Sequence, residues 1–231
     1  DAFEAVLAAI YIDGGMNAAK KHIFNTVLRD LEHHTDDDSF KDYKTSLQEI
    51  IQKNPGEKLE YILCTHGHFD HICGVAKLKK TYPEAKVCIG KEDVPYLADG
   101  RLSMATAFKM DFEPCVPDVE FSHDDTFSIG NIEVRVFSAP GHTPGGVLYI
   151  LDKEKIIFTG DTLFRGSVGN TGFEGGNAFT LMNTLEKMKA FSDDYVIHTG
   201  HGESSTIGYE KRKNIYFNPE IEDIVEIITE D

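Results

Sequence analysis

The apolar positions of this chain follow two different rhythms, and the change falls near Gly56. Residues 1–11, DAFEAVLAAIY, are apolar on most sides and rich in alanine, which predicts a buried helix. Gly14 and Gly15 end it, because glycine accepts the left-handed backbone of a helix cap. A second helix is predicted over 17–32, with Ile23, Phe24, Val27, Leu28 and Leu31 on one face. Residues 33–39, HHTDDDS, form a polar linker. A third helix is predicted over 43–53, capped by Asp42 and turning Leu47, Ile50 and Ile51 inward. Asn54-Pro55-Gly56 stops it.

Beyond Gly56 the spacing shortens. Residues 59–64 form a strand, a His-rich loop follows, and a helix runs to about Tyr82. Residues 86–89 are a short strand, and 91–117 are loop and helix. From Val119 onward Gly, Asp and Pro separate short strands near 127–129, 133–137, 146–151 and 155–159. A helix is predicted over 178–191 and a last strand over 195–198. Strands with intervening helices predict a layered α/β architecture.

Composition narrows the function. The chain has 231 residues, 41% of them hydrophobic, enough for one large domain or two small ones. A formal net charge of −16 opposes loose binding to nucleic acid or anionic membrane, because each phosphate contact needs a cation. No apolar run approaches the length of a membrane span. Cys64, Cys73, Cys88 and Cys115 show no paired spacing and read as reduced, mostly buried thiols of a cytoplasmic protein. The chain opens at Asp1, without a methionine and inside an apolar helical pattern, which reads as a truncated start.

The chemistry is concentrated in four motifs: THGHFDH at 65–71, PGHTPGG at 140–146, TGDTLF at 159–164 and TGHGE at 199–203. Each follows a predicted strand, where a loop can hold ligands out from a rigid edge. Imidazole and carboxylate together suit zinc, with iron or manganese as competitors. His66 and His68 lie two apart on an extended loop, and Asp70 and His71 follow as the chain turns into a helix. Ligands that alternate in direction can serve two adjacent metals. His22, His33, His34 and His123 stand in polar surroundings, and His198 lies inside a strand; these are expected to be structural.

These four motifs resemble the metallo-β-lactamase superfamily, and within it the small glyoxalase II-like hydrolases, over residues 58–217. The resemblance implies an αββα sandwich with a dinuclear site, most simply two zinc ions, at one edge. It implies that His66, His68 and His142 hold one metal, that Asp70, His71 and His201 hold the other, and that Asp161 bridges both. Two such metals, roughly 3.5–4 Å apart, share a hydroxide that attacks a carbonyl carbon, and Asp70 orients it. The implied substrate is a small-molecule thioester or ester, with hydroxyacylglutathione as the type case. Asn170 and Gly172 stand where such enzymes usually carry Arg and then Asp, which puts loop order and substrate anchoring in question. The long C-terminal helical domain that holds glutathione in true glyoxalase II is absent. Lys211, Arg212 and Lys213 form a basic cluster expected to be solvated.

The front segment resembles a different family. DAFEAVLAAIYIDGG and DYKTSLQEIIQKNPGEKLEYIL are similar to pieces of ribonuclease III, the first to its nuclease domain and the second to the opening of its RNA-binding domain. Asp1 and Glu4, three apart on one helical face, match two of that family's metal-binding carboxylates. The acidic signature helix is missing, so cleavage of double-stranded RNA is not expected. EYIL fits both families. The expectation is therefore a helical ribonuclease III-like fragment at 1–57 joined to a hydrolase domain at 58–231 that lacks its first strands. The join is a natural fusion or an assembly artefact, the latter favoured because neither partner is whole. An RNA-processing protein and an inactive chimeric product are the rival readings. No nucleic-acid or membrane partner is expected, and the oligomeric state is left open.

Overall fold

The computed structural model describes residues 59–218. The expectations placed on residues 1–57, the ribonuclease III-like helices and the missing first strands, lie outside those residues. Three sheets are present among them. One is parallel, in the order β1 (Tyr61–Leu63), β2 (Lys86–Gly90), β3 (Val119–Phe121). The second is mixed and comprises β4 (Thr126–Ile129), β5 (Ile132–Ser138), β6 (Val147–Leu151), β7 (Ile156–Gly160), β10 (Val196–Thr199) and β11 (Ser205–Thr206), in the order β11-β10-β7-β6-β5-β4. The third is a small hairpin, β8 (Leu163–Phe164) with β9 (Ser167–Val168).

The period-2 alternation of the strands builds the layers. In β6, Val147 and Tyr149 point to one face and Leu148 and Ile150 to the other, and all four are buried. Val147 and Tyr149 meet Val134 and Val136 of β5, Cys88 of β2 and Phe121 of β3, a core between the two large sheets. Leu148 and Ile150 meet Ile157, Ile197, Leu185 and Met188, a core between the mixed sheet and a helix. On the far side Val87 and Ile89 of β2 pack with Ile62, Ile72 and Val75. Burial on both faces is why these strands read as nearly continuous apolar runs. The outcome is the four-layer αββα order.

The outer helices have local causes. The helix expected to reach Tyr82 is split into α1 (Phe69–Ile72) and α2 (Val75–Thr81), because Gly74 interrupts it and serves as the cap of the second. In α3 (Ala178–Met188), Asn177 caps the start by accepting from the Thr180 amide at 2.8 Å. Its Leu181, Leu185 and Met188 fall on one buried stripe. The last helix among the described residues, α4 (Ile207–Lys213), was missed in the sequence because its run is short and basic. Lys211 and Arg212 of its last turn both pair with Asp193, at 2.9 and 3.3 Å. No described helix is long and apolar enough to cross a membrane.

Candidate metal centre

The mixed sheet explains why distant motifs meet. β5 and β7 are both antiparallel to β6, and β10 is parallel to β7, so β5, β7 and β10 run the same way. Their C-terminal ends share one edge, and His142, Asp161 and His201 follow those ends. The loop after β1 joins that edge through the Val147 amide, which donates to the Thr65 carbonyl at 2.8 Å. His66 and His68 therefore arrive at the same place, and α1 adds Asp70 and His71.

All seven residues singled out in the sequence converge. Ligand-capable atoms of His66, His68 and His142 lie within 4.8 Å of one another, as do those of His66, His71 and Asp161, and those of Asp70, His71 and His201. His68 Nδ1 and His142 Nε2 are 2.8 Å apart, and the Nε2 atoms of His71 and His201 are 3.2 Å apart. Asp161 lies between the two groups. Its Oδ1 is 3.3 Å from His71 Nε2, and its Oδ2 is 3.6 Å from His142 Nε2 and 3.5 Å from His201 Nε2. Asp70 Oδ2 is 3.2 Å from His201 Nε2 and 3.5 Å from His71 Nε2, and its side chain is open to the cleft.

The donor set fits metal ions better than it fits a protein core. Buried polar atoms ordinarily find partners. Here His66 Nε2 and His68 Nε2 are buried without one. His142 Nδ1 donates to the Asn170 carbonyl at 2.6 Å, which leaves Nε2 as the bare nitrogen facing the cluster. Burial and the neighbouring imidazoles hold His66 well below its ordinary pKa, and burial brings His68 to about 4. His142 is also lowered, chiefly by burial. Neutral imidazole is the form that binds metal. Burial pulls His71 down too, but its contact with Asp161 and the charges of Asp161 and Asp70 outweigh it and raise the ring. Burial likewise pushes Asp161 up, and His71, His142 and His201 outweigh it and lower it.

One supporting feature escaped the sequence reading, and a second answers the question raised at Asn170 and Gly172. Asp93, fully buried in a 3-10 segment (Lys91–Leu97), accepts from the Gly67 amide at 2.9 Å and from the Gly145 amide at 2.6 Å. It joins the THGHFDH loop to the PGHTPGG loop. Burial raises its carboxyl above the usual range although both amides oppose that. The sequence shows it only as one acid in a charged GKED run. The second feature is the 170–176 loop. Asn170 Oδ1 accepts from the Gly172 amide at 2.7 Å, and Tyr96 Oη donates to the Glu174 carbonyl at 3.0 Å. The loop is thus ordered without the Arg and Asp that stand there in the glyoxalase-like pattern.

The other histidines and the thiols have structural settings. His198 Nδ1 lies 2.9 Å from Ser204 Oγ, and His123 Nδ1 accepts from the Ser138 amide at 3.1 Å. His22, His33 and His34 lie outside the described residues. All four cysteines are free; Cys64 and Cys88 are buried, whereas Cys73 is exposed.

An αββα sandwich carrying clustered His and Asp at the edge of its sheets defines a metallo-hydrolase fold. The family description "Metallo-beta-lactamase superfamily" matches residues 12–201, and the chain belongs to that superfamily. The match begins well upstream of the boundary read at 57/58. Hydroxyacylglutathione hydrolase GloC of Haemophilus influenzae is 32% identical over 163 residues, covering 69% of this chain and 76% of that protein. The crystal structure of BLEG-1 B3 metallo-beta-lactamase superposes with a TM-score of 0.69 at 29% identity, over 75% of this chain and 84% of that one. TTHA1623 in a di-iron-bound form gives 0.64 at 30% identity, over 73% and 82%.

Proposed function

We propose that this chain hydrolyses small thioesters, using two metal ions held by His66, His68, His142, Asp70, His71, His201 and Asp161. The observation that carries this reading is the position of Asp161, whose carboxylate reaches both histidine groups, His142 of one and His71 and His201 of the other. Zinc suits such a donor set, and iron or manganese compete for it. Metal ions there would supply an activated water and a Lewis acid for the carbonyl. The protein's own part is to favour the neutral form of His66, His68 and His142 by burying them, and to place Asp70 at the open side, where its free carboxylate oxygen orients the attacking water. A thiolate leaves readily, so the site needs no separate acid. Similarity to a hydroxyacylglutathione hydrolase favours a thioester over a lactam or phosphoester.

The test is metal analysis of the purified full chain, followed by assays on S-lactoylglutathione and on a thioester lacking glutathione. About two metals per chain and measurable thioester hydrolysis are expected. Loaded protein that cleaves no thioester would point to an inactive product. Cleavage of double-stranded RNA with excess magnesium, lost on Glu4→Ala, would favour the ribonuclease reading instead.

A further inference from the structure

The metal centre opens into a cleft of about 430 Å³ whose walls, apart from the candidate ligands and Asn170, are Phe69, Met104, Phe108, Phe164 and Phe173. The Phe69 and Phe108 rings are 5.1 Å apart, and Phe173 meets the His68 ring edge-on at 5.5 Å. Phe108 is 56% exposed. An aromatic ring left open beside a reactive centre is surface available to a substrate. Nor is this wall a loose loop. Met104 is held at φ 70, and the segment is tied by the Thr106 amide to the Gly100 carbonyl at 2.9 Å and the Met110 amide to the Ala105 carbonyl at 2.9 Å. A non-glycine residue persists in that conformation where surrounding bonds impose it.

The cations tell the other half. Among the described residues, no Lys or Arg lines the cleft. Arg101 is engaged by Glu174 and Asp99, Arg165 by Glu203 and the Tyr209 ring, and Lys211 and Arg212 by Asp193. Glutathione carries two carboxylates, and this chain has a net charge of −16. The cleft offers a second carboxylate-bearing group little to bind and an alkyl or aryl group a great deal.

We propose, on the thioester reading above, that the substrate carries an apolar acyl group seated against Phe69, Met104, Phe108, Phe164 and Phe173, and that glutathione is not its recognised part. Apolar contact in such a cleft strengthens with each methylene removed from water.

The experiment uses the metal-loaded full chain and a series of N-acetylcysteamine thioesters: acetyl, butanoyl, hexanoyl and phenylacetyl. The value of kcat/KM should rise about three- to four-fold per methylene until the cleft is filled. The hexanoyl and phenylacetyl thioesters should exceed S-lactoylglutathione. Phe108→Ala and Phe173→Ala should flatten the series with metal content retained, Phe108→Leu should restore most of it, and Phe179→Ala, on an exposed face of α3, should leave it unchanged. A flat or falling series, or S-lactoylglutathione as the best substrate, overturns the proposal while leaving thioester hydrolysis standing. Calorimetry with the unreactive S-hexyl and S-ethyl thioethers of N-acetylcysteamine separates the two readings. If no thioester is cleaved but the hexyl compound binds more tightly, and Phe108→Ala removes the difference, the cleft assignment holds and the thioester reading fails. Equal affinities overturn the cleft assignment.

Discussion

The carboxylate of Asp93 lies 2.6 Å from the amide of Gly145, with no side chain between them. Its other oxygen takes the Gly67 amide, so one buried acid fixes the loops that carry His66, His68 and His142. Gly145 must be glycine, because a Cβ there would stand 2.2 Å from the Asp93 amide nitrogen. Asp93→Asn keeps the shape but turns an NH2 group toward an amide donor. Supporting contacts of this kind are worth about 10–100-fold in metal affinity. A competition titration with a chelator should show that loss, and unchanged affinity would remove Asp93 from the site's support.

The joint substitution His68→Ala with His201→Ala takes one imidazole from each outer group. Elemental analysis should then fall from about two metals per chain to none, since structural and catalytic metal sites rest on three or four protein ligands. Tight retention of metal by the double variant would sink the assignment.

Gly200 gives a steric test. A Cβ there would come 2.1 Å from Asp161 Oδ1 and 2.8 Å from His71 Cε1. Gly200→Ala should therefore displace Asp161 and lower metal content while leaving far-ultraviolet circular dichroism intact. Gly74→Ala meets nothing within 4 Å and should leave metal content unchanged. It should add about 0.4–1 kcal/mol of stability by restricting the unfolded chain.

Glu210 should matter for folding and not for chemistry. It is fully buried and accepts from the Gly166 amide at 2.8 Å, from Asn214 Nδ2 at 2.9 Å and from Ser205 Oγ. Glu210→Ala orphans these donors, and urea unfolding should register a loss of about 3 kcal/mol. Metal bound per folded chain should stay the same.

Residues 1–53 can be tested by removal. β1 pairs only with β2 among the described residues, and an open strand edge invites association between chains. On the sequence reading, deleting 1–53 leaves metal content nearly unchanged. Restoring the first strands of a related hydrolase in place of 1–57 raises solubility and thioesterase activity. Loss of the metal site on deletion would show instead that residues inside the family match, from 12 onward, belong to the hydrolase fold.

What was legible in the sequence follows from how locally each feature is determined. β6, Val147–Leu151, and β7, Ile156–Gly160, are apolar runs bounded by Gly and Asp, and their positions were read to within a residue or two. The seven site residues stood out because His and Asp recur in short motifs at strand ends. β8, β9 and β11 are two residues each, too short for a period to register. Asp93 and the Phe108 wall were invisible for another reason. Their roles depend on which distant backbone or ring lies opposite, and that is decided only when the layers close.

The candidate ligands also constrain the order of events in folding. His68 and His142 are separated by 74 positions, and His71 and His201 by 130. Each of the three groups draws on loops from distant parts of the chain. No short segment of a nascent chain assembles any of them, so metal capture is a late step that waits for long-range closure. Bound metal is then a ledger of completed assembly: a population that has lost a strand pairing anywhere between β1 and β10 should be recognisable by its metal deficit before any loss of secondary structure is seen.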